Sequence, residues 1–364
     1  MHRMEEVKKP LENKKRPTGI TIKDIAQLAN TSHATVSRVL SNPEYPVSEA
    51  LRARVLEIAD VYDYVPNLIG RTLKGRMGTD VGVIVPNFSN PFYAIFLSTI
   101  EKALGKNGLS MLVVSTNHKE KYEKAAFQKL LMRRVGSIVM LSQISDSKLL
   151  HNAAERGMRL VMMNDWLKGN PCDSIYADGE HAGQIATEHL IGLKHTRIGY
   201  ISSPLDRYSR SAFYLGYLKA LALNNIRFAP ELEMFDRQDE NETSEVYEYE
   251  RGVKLTDRLL EQCPDVTAII ACNDYMAIGA MAALQTKGLR VPEDVSIVGR
   301  DDIPMARMVT PALTTVSEPI PEMTAALLNV LKKPTNQEDE PGGFESIIYN
   351  GKLILRHSTA TAAR

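Results

Sequence analysis

Apolar residues near the start of the chain recur with the period of an α-helix in three short stretches. One stretch after another, these positions are Ile22, Ile25, Ala26 and Ala29; Val36, Val39 and Leu40; and Leu51, Val55, Ile58, Ala59 and Tyr62. Spacings of three and four residues place such side chains on one helix face. Thr21, Ser32 and Ser48 precede the stretches and are residue types that cap helix N-termini. The pattern therefore predicts three short helices within residues 20–66.

After Gly78 the pattern changes to short apolar runs that alternate with helical stretches. The runs are Val81–Pro86, Met111–Ser115, Ser137–Leu141, Leu160–Met163, Arg197–Ile201, Ala268–Ala271 and Val295–Gly299. Continuous apolar runs are typical of strands that are buried on both faces of a parallel sheet. Their alternation with helices predicts right-handed crossovers and a doubly wound sheet. Because this part of the chain spans residues 79–364, two sheets are favoured over one.

The second predicted helix has a small polar face that suits contact with DNA. His33, Ala34, Ser37 and Arg38 lie opposite its apolar positions. Two helices joined by a tight turn, the second with a small polar face that ends in arginine, suit insertion into the major groove. The same periodicity also fits an ordinary three-helix bundle, so periodicity alone leaves both interpretations open.

The chain contains, in this order, the segments TIKDIAQLANTSHATVSRVL, VPNLIGRTLKG and VGVIVPNFSNPFY. Together they resemble the LacI/GalR (lac/galactose repressor) family of bacterial transcription regulators. The resemblance implies an α+β multidomain fold. An N-terminal all-α helix-turn-helix DNA-binding domain would precede a two-lobed α/β core of the type I periplasmic-binding-protein-like class.

The resemblance also implies domain boundaries. The expected parts are a basic, disordered arm at 1–19, the helix-turn-helix domain at 20–66, a hinge helix and linker at 67–78, and an effector-binding and dimerisation core at 79–364. Lobe 1 of the core would comprise about 79–176, 305–317 and 344–364, and lobe 2 about 177–304 and 318–343. No heptad repeat follows Thr359, so we expect a homodimer without the tetramerising helix of some relatives.

The family's DNA contacts carry over to matching positions of this chain. Base contacts are expected from His33, Ala34 and Arg38, and an arginine can donate two hydrogen bonds to guanine. The expected contacts to the DNA backbone are Thr21, Thr35, Ser37, Asn42, Asn67, Arg71 and Lys74. Leu73 matches the leucine that relatives insert between base steps from the minor groove, with packing between paired hinge helices as the alternative.

Effector contacts are expected in loops at the carboxyl ends of strands, where open α/β sheets bind ligands. The matching positions are Asn90, Phe92, Tyr93, Asn164, Trp166, Phe213, Asn273, Asp274, Arg300 and Asp301. Phe213 stands where relatives carry arginine, and Arg300 stands where they carry an aromatic residue. The effector is therefore a sugar, or a phosphate- or carboxylate-bearing molecule that Arg300 contacts, or a protein partner controls the dimer instead. The acidic segment 236–249 is expected to be a solvated surface loop.

Charge and cysteine content refine this picture. The chain has 44 Lys and Arg against 44 Asp and Glu, but residues 1–78 hold 13 against 9, so the basic excess lies in the part expected to contact phosphate. Cys172, Cys263 and Cys272 are odd in number and lack CxxC spacing, which favours structural thiols in a reducing cytosol. No apolar signal segment or membrane-length apolar run is visible, so we expect a cytoplasmic protein.

Enzyme classes find little support in the sequence. It has no GxGxxG after the first strand, no P-loop, no GxSxG and no HExxH, and we expect no enzymatic activity, cofactor or metal. A secreted sugar-binding protein would share the core but not the helix-turn-helix. The expected function is a repressor of a carbohydrate-utilisation operon. Its partners would be a near-palindromic double-stranded operator, a sugar or sugar phosphate, and a second copy of the chain.

Overall fold

The computed structural model describes residues 20–41, 44–62, 64, 80–117, 119–141, 146–166, 169, 171–236, 244, 246–333 and 344–362. The chain divides into two compact units, residues 1–76 and 77–364. The predicted arm at 1–19 and the predicted hinge at 67–78 lie outside the described residues. Within the described ranges, no helix has both the length and the apolar character that crossing a membrane requires.

The N-terminal unit consists of three short helices, which confirms the prediction from periodicity. They are α1 (Ile22–Ala29), α2 (His33–Ser41) and α3 (Glu49–Val61). Thr21 and Asp24 form a reciprocal capping box at the start of α1. Ser32 and Ser48 each accept a hydrogen bond from the backbone N–H three residues on, at 3.1 and 3.3 Å. The apolar faces form one core of Ile25, Ala26, Ala29, Val36, Val39, Val55 and Ala59.

The second unit alternates strands and helices, as predicted. In chain order its first elements are β1 (Asp80–Val85), α4 (Pro91–Gly105), β2 (Ser110–Ser115), α5 (Glu120–Met132), β3 (Ser137–Met140), α6 (Ser147–Glu155), β4 (Arg159–Met163), β5 (Asp173–Ala177) and α7 (Gly179–Gly192). The next are β6 (Ile198–Ser202), α8 (Tyr208–Leu223), β7 (Glu233–Phe235), α9 (Tyr247–Gln262), β8 (Ala268–Ala271) and α10 (Asp274–Thr286). The last are β9 (Ser296–Asp301), β10 (Thr314–Ser317), α11 (Ile320–Lys332), β11 (Ser346–Tyr349) and β12 (Lys352–Ile354).

The described strands form two six-stranded sheets, one in each lobe. The order is β11-β5-β4-β3-β1-β2 in lobe 1 and β12-β10-β9-β8-β6-β7 in lobe 2. Neighbouring strands run parallel, except that β12 is antiparallel to β10. The interior strands are buried along their length, as their continuous apolar runs predicted. The parallel strands of each sheet have their carboxyl ends at the same edge, and Asn90, Asn164, Trp166 and Asn273 lie in the loops that follow them. Phe213 lies within α8, and Arg300 and Asp301 lie within β9.

The division between the lobes differs from the predicted one at the C-terminal end. Residues 305–317 were expected in lobe 1, but β10 pairs with β9 and belongs to lobe 2. Residues 318–343 were expected in lobe 2, but α11 packs its apolar face into the core of lobe 1. The tail from residue 344 is shared, because β11 pairs with β5 whereas β12 pairs with β10. β10, β11 and β12 are short strands, and the sequence pattern does not reveal which sheet each of them joins.

Two pairs of helices in lobe 2 pack at unusually close distance. A Cβ atom on Gly183 of α7 would lie 2.0 Å from the carbonyl oxygen of Phe213 in α8. In the second pair, a Cβ atom on Gly252 of α9 would lie 2.1 Å from the carbonyl oxygen of Met276 in α10. Only glycine fits at such contacts, because any side chain would strike backbone. The α9–α10 contact brings the first two turns of these helices together.

Candidate DNA-binding and effector-binding sites

The face of α2 that was predicted to contact DNA bases is open to solvent. His33, Ala34 and Arg38 are all exposed, and they lie opposite the buried Val36 and Val39. A helix of nine residues that follows a tight turn and exposes such a face fits the recognition helix of a helix-turn-helix. The geometry is therefore compatible with base contact by these three residues.

The residues predicted to contact the DNA backbone fall into two groups. Thr21 lies in the capping box, where its hydroxyl donates to Asp24 at 2.6 Å, and it remains exposed at the start of α1. Thr35 and Ser37 lie on α2 and are half-buried. The other predicted backbone contacts, Asn42, Asn67, Arg71 and Lys74, lie outside the described ranges, and so does Leu73, the residue predicted to insert between base steps.

Tyr45, which the sequence analysis did not single out, holds the side chain of Arg38. The Arg38 Nη1 donates to the Tyr45 hydroxyl at 2.9 Å, and the guanidinium carbon lies 5.5 Å from the centroid of the tyrosine ring. Tyr45 lies in the segment between α2 and α3, which has no helical period. The sequence therefore contains no periodic signal that would have identified it.

A buried carboxylate joins two of the predicted effector residues across the lobes. Asn90 caps α4 in lobe 1, and its Oδ1 accepts from the Phe92 N–H at 2.9 Å while its Nδ2 donates to Glu248. Asn273 caps α10 in lobe 2, and its Oδ1 accepts from the Met276 N–H at 2.8 Å. The Asn273 side chain also hydrogen-bonds to Glu248. The two amides that were predicted to contact a ligand therefore meet at one carboxylate.

Glu248 itself was missed, because it lies in the acidic segment that was expected to be a solvated loop. Its side chain is buried, as is that of Asp236, which pairs with Arg251 at 3.2 Å. Burial raises the pKa of the Glu248 carboxyl, while Arg210 and the two asparagine amides act to lower it. The sequence shows only that Glu248 is four residues from Gly252 and so shares a helix face with it, and the contact of that glycine with α10 is seen in the structure alone.

An aromatic contact also crosses between the lobes. Trp166 follows β4 in lobe 1, and its ring centroid lies 5.4 Å from that of Tyr208, the first residue of α8 in lobe 2. Tyr176 packs edge-on against the same tyrosine at 5.5 Å. The prediction that Trp166 lies near the cleft agrees with this placement.

Next to Trp166, two acceptor atoms are buried without a partner. Asp165 is buried, and one of its carboxylate oxygens accepts from the Trp166 N–H at 2.9 Å. Among the described residues, the second oxygen of Asp165 and the Oδ1 of Asn164 have no hydrogen-bond partner. Burial raises the pKa of Asp165, and the positive charges of Arg207 and Arg210 oppose that shift. Buried acceptors without donors are costly unless a bound molecule supplies the donors.

The two aromatic residues predicted after β1 have different roles. Phe92 is buried in the core of lobe 1, where it packs edge-on against Phe96 at 5.6 Å, so it does not line a cleft. Tyr93 lies beside the charged groups of lobe 2. Burial raises its pKa to about 12, with Arg207 opposing and Glu248 reinforcing the shift.

Phe213 and Arg300 are not available as ligand contacts, which corrects both predictions. Phe213 is fully buried, and the guanidinium carbon of Arg300 lies 5.2 Å from its ring centroid. The Nε of Arg300 donates to Glu318 at 2.8 Å, and its Nη1 donates to the Ser209 carbonyl at 2.9 Å. A buried arginine needs such a carboxylate partner. The departure from the family pattern is therefore an internal ion pair stacked on an aromatic ring.

Asp274 is a positioning residue, which corrects another prediction, whereas effector contact by Asp301 stays a prediction. Asp274 is fully buried, and its carboxylate accepts from the Ile303 N–H at 2.9 Å and from the Thr315 hydroxyl. Burial raises its pKa to about 8. Asp301 is partly exposed with φ at 114°, and burial and the nearby Glu318 raise its pKa well above the ordinary value. The Asp274 carboxyl therefore fixes the backbone at Ile303, two residues after Asp301.

Comparison with known proteins agrees with this architecture. Residues 21–67 match the model of the bacterial regulatory proteins of the lacI family, and residues 187–359 match a periplasmic binding protein-like domain. The transcriptional repressor PurR of Aliivibrio salmonicida is 32% identical over 82% of this chain and 87% of its own. The transcriptional regulator GalR of Escherichia coli is 31% identical over 94% of this chain and 96% of its own. The lac repressor dimer bound to operator and the anti-inducer ONPF shares the fold, with a TM-score of 0.78 and 24% identity. The match covers 94% of this chain and 99% of the repressor chain.

A helix-turn-helix with an exposed recognition face, followed by a two-lobed ligand-binding core, defines a DNA-binding transcription regulator that responds to an effector. The chain belongs to the LacI family of bacterial transcription regulators.

Proposed function

We propose that the protein is a cytoplasmic, homodimeric repressor of a carbohydrate-utilisation operon, controlled by a neutral, hydroxyl-rich molecule in the cleft between its lobes. The observation that carries this proposal is the chemistry of the buried polar atoms at the cleft. Those without a partner among the described residues include the acceptors Asn164 Oδ1, Asp165 Oδ2 and Glu318 Oε2. A sugar supplies hydroxyl donors to such atoms, whereas an ionised phosphate or carboxylate brings only acceptors.

The arginines near the cleft already have acceptors within the protein. The Arg207 Nη2 lies 3.9 Å from the Glu123 Oε1, and the Arg210 Nη1 lies 3.2 Å from the Asp206 Oδ1. Arg300 is bound to Glu318. A phosphorylated effector would have to displace one of these carboxylates and would meet Asp165 and Glu248 as well. Like charges at such distances in a buried site are unfavourable, so the described charges favour a neutral ligand.

Control of DNA binding would follow from differential affinity. A ligand that binds one arrangement of the lobes more tightly shifts the population toward that arrangement. Because Asn90, Glu248, Trp166 and Tyr208 bridge the lobes, a molecule bound among them would change how the lobes are joined. Linkage then requires that bound operator change ligand affinity by the same factor.

The test begins with selection of bound DNA from a random pool by the full-length protein. We expect a near-palindromic site, and genes for sugar uptake or breakdown beside its genomic matches. Affinity for this operator is then measured with neutral monosaccharides, disaccharides and the corresponding sugar phosphates. A neutral sugar should change operator affinity, and its phosphate should not. An effect of the phosphate alone would contradict the proposal, and no effect of any sugar would favour control by a protein partner.

A matched pair of variants locates the effect. Asp165→Asn replaces an unpartnered acceptor by a donor and should weaken the response to the active sugar by about tenfold or more, because the loss of a hydrogen bond to a charged group is of that size. Asp265→Asn makes the same change at an exposed residue that pairs with Arg197 at 2.9 Å, and should leave the response unchanged.

A further inference from the structure

The guanidinium of Arg38 lies on a platform that is itself fixed. Tyr45 is half-buried, and its ring packs against the apolar core of the N-terminal unit. The backbone carbonyl of Tyr45 accepts a hydrogen bond from Arg52 on α3. The core therefore holds the Tyr45 ring, and α3 holds the Tyr45 main chain. The Tyr45 hydroxyl and one face of its ring contact Arg38, which is exposed on α2.

This contact restricts a side chain that would otherwise be among the most flexible on the surface. An exposed arginine populates many rotamers, and ordering it on binding costs conformational entropy. The Tyr45 hydroxyl uses only one of the five guanidinium N–H groups, so the others remain available for the O6 and N7 atoms of a guanine. A group held near its bound position loses less freedom on binding and tolerates fewer wrong geometries.

We propose that Tyr45 is a specificity-determining positioning residue, which presets the Arg38 guanidinium for the edge of one base in each half-site. The inference rests on base contact by Arg38. It extends that contact, since the discrimination at this base pair would depend on the tyrosine hydroxyl as well as on the arginine. The Tyr45 hydroxyl oxygen, which binds Arg38 in the free protein, would then also determine the selectivity of Arg38 on DNA.

The test compares the sequence preferences of four full-length proteins, by selection from a random pool followed by affinity measurement on single-base variants of the selected site. They are the wild type, Tyr45→Phe, Arg38→Ala and Tyr62→Phe. Tyr62 is exposed at the end of α3, so its variant makes the same chemical change on the same unit away from Arg38. Unfolding temperature and salt-dependent binding to non-operator DNA are measured for each.

Arg38→Ala should abolish preference at one symmetric pair of base positions. Tyr45→Phe should lower preference at that same pair by about threefold to tenfold, the loss expected for one hydrogen bond of ordinary strength, and should leave the other positions and the non-specific affinity unchanged. Tyr62→Phe should match the wild type.

Three results would overturn the inference. Full preference at that pair in Tyr45→Phe would show that the hydroxyl does not position the arginine. An equal loss at all positions would indicate a merely structural role. If Arg38→Ala selected the same DNA sequence as the wild type, Arg38 would not contact a base. This failure is distinguishable from failure of the Tyr45 role, in which Arg38→Ala loses the preference and Tyr45→Phe keeps it.

Discussion

Glu248 offers the sharpest prediction about the core, because one buried carboxylate joins the two lobes. Its carboxylate accepts from Asn90 in lobe 1 and from Asn273 in lobe 2, and the charge of Arg210 lies nearby. Glu248→Ala would remove both hydrogen bonds and leave their donors without this acceptor. The predicted outcome is a core that is less stable and whose lobes are less firmly joined.

The magnitude follows from the contacts that are lost. A hydrogen bond to a charged group contributes about 1.5–3 kcal/mol, and Glu248 accepts two such bonds. Arg210 keeps Asp206 and the Pro204 carbonyl as acceptors, at 3.2 and 3.3 Å, so the loss should lie at the lower end. We expect Glu248→Ala, which removes two such bonds, to lower the free energy of unfolding by about 3 kcal/mol. Glu248→Gln, which keeps one acceptor, should cost about half as much.

Urea unfolding followed by Trp166 fluorescence measures these losses. Glu250→Ala changes an exposed residue of the same helical turn and should stay within about 0.5 kcal/mol of the wild type. Asn90→Ser keeps an acceptor at the cap of α4 but removes the amide donor, so its double-mutant cycle with Glu248→Gln isolates the contact between the lobes. A cycle that is additive, or a Glu248→Ala cost no larger than that of Glu250→Ala, would refute the reasoning.

Three further predictions concern packing, titration and capping. Gly183→Ala should lower the free energy of unfolding by about 3 kcal/mol because its Cβ would meet a backbone oxygen, whereas Gly192→Ala, with open space around it, should be nearly neutral. The pKa of Asp274 is raised to about 8 from 3.8, so the folded state binds its proton more tightly; stability should fall as pH rises from about 4 to 8, and Asp274→Asn should flatten that slope in urea titrations. Thr21→Ala removes the capping box and should destabilise the N-terminal unit by about 1 kcal/mol in thermal unfolding, with no change in the core.

Local periodicity was sufficient to predict the three N-terminal helices and seven of the described strands, but not β5, β7, β10, β11 and β12. The three N-terminal helices and the buried strands follow from apolar spacing that depends only on near neighbours in the chain. The division of lobes at residues 305–343 could not be predicted in this way. Thr314–Ser317 is a short strand that pairs with β9 on one side and, on the other, with β12, which follows in the chain only after α11 has packed on lobe 1.

The same limit applies at the candidate sites. The resemblance pointed to particular loops, but a matching position does not reveal a side chain's partner. Arg300 was expected to face a ligand, yet Glu318 and Phe213 hold it inside the protein. Glu248 was hidden by acidic neighbours, and its burial depends on the packing of α9 against α10, which the sequence does not show. Tyr45 lies outside any periodic stretch, so its role depends on a contact that only the folded unit shows.

In the proposed mechanism the cleft and the DNA-binding end of the protein are coupled, and the single tryptophan can report this coupling without any effector. Trp166 lies in lobe 1, with its ring 5.4 Å from Tyr208 of lobe 2, so its emission should respond when the lobes shift. Saturating the full-length protein with the selected operator should change Trp166 fluorescence, while scrambled DNA of equal length and salt should not. Identical emission with operator and scrambled DNA, with the operator demonstrably bound, would contradict the account.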